Sequence, residues 1–307
     1  MDELIDTWQA RGGLLPASRI PGHELARVAE AADLAVLPVG AVEWHGPHLP
    51  LGTDLILAEG FASEVDGAGV RAVLFPAVAY SACPGQTRPW PGTVAVRPET
   101  AVAYACDVLD GIVAAGFPRV LVVNGHDANM SVARAAMEWV SGRRRASFLL
   151  VNWFQLVNAG ETGELFGELI SRGHGGAYET SAVLGFDPEA VHPAAATDLP
   201  PRPKLPTPHP YVLVESRPEP WQGWSGHVSL ASEAAGRRVR ELAAARLGEI
   251  LRAWAAAPLP GPPGADAAGE AGPPPGQPSA DPAGEAAPPP GKPGTDPAPQ
   301  PQPGETP

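Results

Sequence analysis

Arg119–Val123 reads RVLVV, a β-branched, apolar run bounded by Pro118 before it and Gly125 just after. A continuous apolar run of this length, closed by turn formers, marks a strand covered on both faces. Working outward, Leu34–Val39 (LAVLPV) is a second such run, preceded by a helical pattern over His23–Ala32. Leu55–Asp66 carries apolar residues at helical spacing, Ala72–Phe75 is a short strand, and Thr93–Val96 is a further extended piece. Pro98 and Glu99 open a helix through about Ala115, with proline in the first turn, where its missing N–H costs nothing. Met130–Ser141 is the next helix and Phe148–Asn152 the next strand. This alternation predicts an α/β class: a mostly parallel sheet covered by helices on both faces. Ligands in such folds gather at the carboxyl ends of the strands.

The chain has 307 residues and a net charge of −13. From Pro258 onward it is dominated by Pro, Gly and Ala. The string DAAGEAGPPPGQP from Asp266 returns as DPAGEAAPPPGKP from Asp281, and Asp296 opens a partial third copy. A segment so poor in large apolar side chains cannot offset its ordering entropy, so residues 258–307 read as a disordered tail behind one domain spanning 1–257. The acidic balance gives no electrostatic footprint for nucleic acid. The one dense basic run, Arg143–Arg145, suits a helix C-terminus. Cys83 and Cys106 make neither a disulfide framework nor a C-x-x-C pair. The N-terminus MDELIDTW lacks a signal-peptide apolar region, and no apolar stretch is long enough to cross a membrane, so a cytoplasmic protein is expected.

Three polar clusters fall after predicted strands or in loops. VGAVEWHGPHLPLGTD (Val39–Asp54) places Glu43, His45, His48 and Asp54 on an irregular loop. Glu43 and His45 are two apart, so an extended backbone puts both side chains on one side. Mixed carboxylate and imidazole donors suit Zn, Mn or Fe better than Ca or Mg. The alternative is an Asp54 that only caps a helix, with surface histidines. NGHDANM (Asn124–Met130) projects His126 over the sheet edge, with Asp127 beside it and Asn129 available as a helix cap. RGHGGAYETS (Arg172–Ser181) carries His174 between glycines, and Glu179 at the start of a helix through Leu184.

These three strings, in this order, resemble the signature blocks of the creatininase family over about residues 30–250. The resemblance implies a three-layer α/β/α fold and two divalent metal ions (Zn, Mn or Fe), often in a hexameric ring. By matched position it implies that Glu43 and His126 hold one metal, His45 holds the other, Asp54 bridges them, and His174 is the catalytic histidine. Creatinine-hydrolysing members carry a Glu where this chain has Ala128, which shifts completion of the second metal's shell to Glu179. They also carry a Trp-Asp pair where this chain has Ile170 and Ser171, so creatinine is not the expected substrate. Family chemistries include opening a cyclic amide, removing a formyl group and trimming a short peptide.

The expected activity is therefore hydrolysis of an amide-type C–N bond by a metal-activated water, with His174 passing a proton to the departing nitrogen. The loop Ser81–Thr93 offers Arg88 and Trp90 as substrate contacts, with Trp44 and Asp127 beside them; Trp221 and Trp224 are further aromatic walls. The expected partners are a small molecule or short peptide and other copies of the chain. Two alternatives stand beside this: a lactonase or esterase using the same site, and a non-catalytic metal-binding scaffold.

Overall fold

The computed structural model describes residues 2–83, 87–167, 173–199 and 221–261. The repeats of the Pro-rich tail, Ile170, Ser171 and Arg172, and residues 84–86 of the Ser81–Thr93 loop lie outside the described residues. In chain order the elements are α1 (Asp2–Arg11), β1 (Gly13–Pro16), α2 (Leu25–Ala31), β2 (Leu34–Val39), α3 (Thr53–Ser63) and β3 (Arg71–Leu74). Then come α4 (Pro98–Ala114), β4 (Arg119–Asn124), α5 (Asn129–Ser141), β5 (Ser147–Asn152), α6 (Ala159–Phe166), α7 (Ala177–Leu184) and α8 (Glu233–Ala256).

The five strands form one sheet of order β1-β3-β2-β4-β5, and every pairing is parallel. Successive side chains of a strand point to opposite faces, and each face meets helices here. Leu34, Val36, Leu121 and Val123 join one core with Leu57 and Phe61 of α3, Val183 of α7, and Val239, Leu247 and Leu251 of α8. Their sequence neighbours Ala35, Leu37, Val120 and Val122 join a second core with Ile5 and Trp8 of α1, Leu109 and Ile112 of α4, and Ala136 and Val140 of α5. That double coverage is why β2 and β4 read as unbroken apolar runs. Phe61 stacks on Trp153 at 5.2 Å, and Trp153 stacks on Tyr178 at the same separation. Phe61 is fully buried, so truncating it to alanine costs about 3–5 kcal/mol.

Three local details sharpen the reading of the loops. Thr93–Val96 is not a strand of the sheet; Val94 and Val96 donate instead to the loop carbonyls of Val42 and Ser81. Asp54 lies in the first turn of α3 but makes no capping bond there. Asn129 is not the cap of α5, which follows Ala128. Its amide donates to the Gly40 carbonyl and its oxygen accepts from Ser81, tying two loops together. Among the described residues, no helix is long and apolar enough to cross a membrane.

Candidate metal centre

β2 and β4 are neighbours and end together, Val39 opposite Asn124, so the loops leaving them start side by side. Gly125 then passes against the first turn of α3 so closely that a Cβ there would overlap the Asp54 carbonyl; only glycine permits that approach. The result puts Glu43, His45, Asp54 and His126 into one buried cluster, each no more than 5% exposed.

The two carboxylate oxygens of Asp54 face different histidines. Oδ1 lies 3.2 Å from His45 Nε2 and Oδ2 lies 3.2 Å from His126 Nδ1. His126 Nδ1 is also 3.0 Å from Glu43 Oε2, and His45 Nε2 is 3.9 Å from Glu179 Oε2. Each histidine is oriented from behind. His45 Nδ1 donates to the Glu43 carbonyl at 3.0 Å, and His126 Nε2 donates to the Ala82 carbonyl at 3.1 Å. Backbone carbonyls on the far nitrogen are the usual way a metal-binding imidazole is fixed in tautomer and direction.

Both oxygens of Glu43, Nε2 of His45 and Oδ2 of Asp54 are buried without an aligned hydrogen-bond partner. Buried carboxylates left so are costly unless a cation neutralises them. Ligand atoms of His45, Asp54 and Glu179 lie mutually within 4.8 Å, as do those of Glu43, Cys83 and His126, and of Glu43, His45 and His174. The residues present therefore fit divalent cations bound by nitrogen and oxygen donors.

The electrostatics of the metal-free cluster agree. Burial opposes charging His45, but Asp54 and then Glu179 outweigh it and raise the imidazole to about 10. Against the same burial, Asp54 and Glu43 raise His126 well above its ordinary value. Burial lifts Glu179 to about 7, with His45 opposing. Burial, and secondly the Glu43 carboxylate, push the Cys83 thiol up to about 12. Protons and metal ions compete for these donors.

His174 lies over the cluster, its ring 4.2 Å from that of His45 and tilted by 33°. Its Nε2 donates to the Trp44 carbonyl at 2.6 Å. Burial, with the neighbouring His45, pulls it down to about 4, so it is neutral at pH 7. The loop that carries it is held by Glu179, whose Oε2 accepts from Gly175 N at 2.6 Å. Gly175 has φ +63°, and a Cβ there would meet the His45 carbonyl at 2.7 Å.

Trp44 stacks on Trp90 at 5.6 Å, Trp90 meets Trp221 edge-on at 6.4 Å, and Trp221 lies 5.8 Å from His174. These half-buried rings line one side of the histidine. Trp224 is buried and packs against His48. Arg88 and Asp127 are exposed and stand outside the buried cluster. Of the metal-competent residues in the first motif, His48 takes a different part, with Nε2 bonded to the Gly175 carbonyl at 2.8 Å. Sequence reasoning missed Cys83, which carries no ligand motif and reaches the cluster only through the fold.

Comparison with known proteins follows the same lines. Residues 19–251 match the profile of the creatininase family, described as creatinine amidohydrolase. A 3-dehydro-scyllo-inosose hydrolase of Thermotoga maritima is 29% identical over 188 residues, 58% of each chain. A mycofactocin precursor peptide peptidase of Mycolicibacterium smegmatis is 38% identical over 110 residues, 34% of this chain and 43% of the relative. The chain thus spans about half the length of these curated relatives. Among solved structures, a zinc–zinc mutant form and a manganese form of creatininase each superpose with TM-score 0.68 at 22% identity. They cover 79% of this chain and 98% and 99% of theirs, which shows the shared fold.

Proposed function

Because this chain belongs to the creatininase family, we propose that it is a metal-dependent hydrolase of an amide-type C–N bond. Glu43 and His126 would hold one divalent cation and His45 and Glu179 the other, with Asp54 shared between the two positions. Two such cations supply a water of near-neutral pKa and a Lewis acid for a carbonyl oxygen. The observation that carries the reading is Asp54, a buried carboxylate with one oxygen toward each of two backbone-oriented histidines.

His174 handles the proton. With Nε2–H committed to the Trp44 carbonyl, the neutral ring carries its basic lone pair on Nδ1. It takes a proton there from the attacking water and returns it to the departing nitrogen. Trp44, Trp90 and Trp221 form an apolar wall that excludes water and orients a flat carbonyl group. Similarity to a precursor-peptide peptidase and to a creatinine amidohydrolase supports a short peptide or cyclic amide as substrate, and a formamide shares the same bond type. Ala128, in place of the Glu of creatinine-hydrolysing members, turns the reading away from creatinine.

A second reading, hydrolysis of an ester or lactone, rests on the same machinery, and the similarity to a 3-dehydro-scyllo-inosose hydrolase adds a polyhydroxylated ring ketone to the candidate substrates. Assembly as a homo-oligomer, in a cytoplasmic setting, belongs to the same proposal, and light scattering measures it. Metal analysis of the purified chain, followed by turnover on matched amide and ester substrates, tests the function. Bound metal with amide turnover supports it. Two bound metals with turnover of neither class would favour a scaffold.

A further inference from the structure

We propose that Cys83 supplies a thiolate ligand to the cation held by Glu43 and His126, making that position a mixed carboxylate–imidazole–thiolate site that prefers zinc. The proposal rests on the reading of this cluster as a two-cation centre.

Cys83 is 4% exposed, and its sulfur shares a mutual 4.8 Å sphere with ligand atoms of Glu43 and His126. Its hydrogen-bonding contact is weak, 3.9 Å to the Ser81 carbonyl, so no strong partner draws it away. Glu43 Oε2 faces His126 at 3.0 Å, while its Oε1 is buried in the same space without a partner, a second observation that points to a cation there. The preceding residue gives the geometric reason. The Ala82 carbonyl takes the Nε2–H of His126, so the loop that aims the imidazole also delivers the sulfur.

The two halves of the centre then differ in chemistry. His45, Asp54 and Glu179 offer nitrogen and oxygen only, donors that zinc, manganese and iron all accept. A thiolate is a soft donor that favours zinc over manganese. Binding forms the metal–sulfur bond as the thiol S–H bond breaks, and the proton leaves to solvent.

The test is cobalt substitution of the full chain, read by absorption. Cys83 ligation predicts a sulfur-to-cobalt charge-transfer band in the near ultraviolet, retained in Cys106→Ser and lost in Cys83→Ser. Cys83→Ser is also expected to weaken zinc binding at least about tenfold, the lower bound for disturbing a ligand's surroundings, and to lose zinc-over-manganese preference. Should that variant fail to fold, X-ray absorption at the zinc edge of the unmodified protein still decides, through a sulfur scatterer at about 2.3 Å. Bound cobalt or zinc with neither band nor sulfur scatterer overturns the Cys83 ligation alone. No bound metal overturns the metal centre itself, and the ligation with it.

Discussion

His48 Nε2 donates to the carbonyl of Gly175 at 2.8 Å, joining two loops that lie 127 residues apart in the chain. The same nitrogen lies 3.2 Å from the Thr180 hydroxyl. His48 therefore positions the loop of His174 without belonging to the donor cluster. His48→Ala leaves the buried Gly175 carbonyl with only the long 3.5 Å contact from the Thr180 hydroxyl, a loss of about 1–3 kcal/mol. The expected result is a lower melting temperature and a lower kcat at unchanged metal content, measured by denaturation, kinetics and elemental analysis.

Asp54→Ala is expected to empty the centre of both metals. One residue faces both histidines, so no half-site survives its loss. Elemental analysis showing two metals still bound would contradict the bridging role.

His174→Ala is expected to keep both metals and slow turnover by roughly two to four decades, the usual range for acid–base catalysis. An active, fully loaded variant with wild-type kcat would remove His174 from the chemistry.

Metal affinity should rise with pH. His45 is raised to about 10 from an ordinary 6.5, so in the metal-free protein it gains stability by holding a proton. That gain is complete below about pH 6.5 and is lost as pH climbs through 10. A cation has to displace the same proton, so its binding tightens over the same window. Titrating zinc into the metal-free protein in buffers of different ionisation enthalpy should show proton release that shrinks toward pH 10.

Much of this was legible in the chain because the strands and donors have local signatures. RVLVV and LAVLPV announce strands covered on both faces, and E-W-H and N-G-H sit where such strands end. The capping roles open to Asp54 and Asn129 are both left untaken, for one reason. A side-chain oxygen that can close a helix turn faces elsewhere when another partner is near: histidines for Asp54, the Ser81 hydroxyl for Asn129. Cys83 has no pattern around it, and its nearness to His126 is a product of the tertiary fold. Helix α8 is an element that the sequence reading missed, although Val239, Ala243, Leu247 and Leu251 recur every four residues on its buried face.

Gly125 acts as a spacer of zero thickness between two donor-bearing segments. Its missing side chain lets the backbone before His126 rest on the turn that carries Asp54, so the bite between those two residues is set by the thickness of bare main chain. A methyl group inserted there is a wedge between two donors on separate secondary-structure elements. The spacing of two donors therefore depends on a position that offers no ligand atom at all.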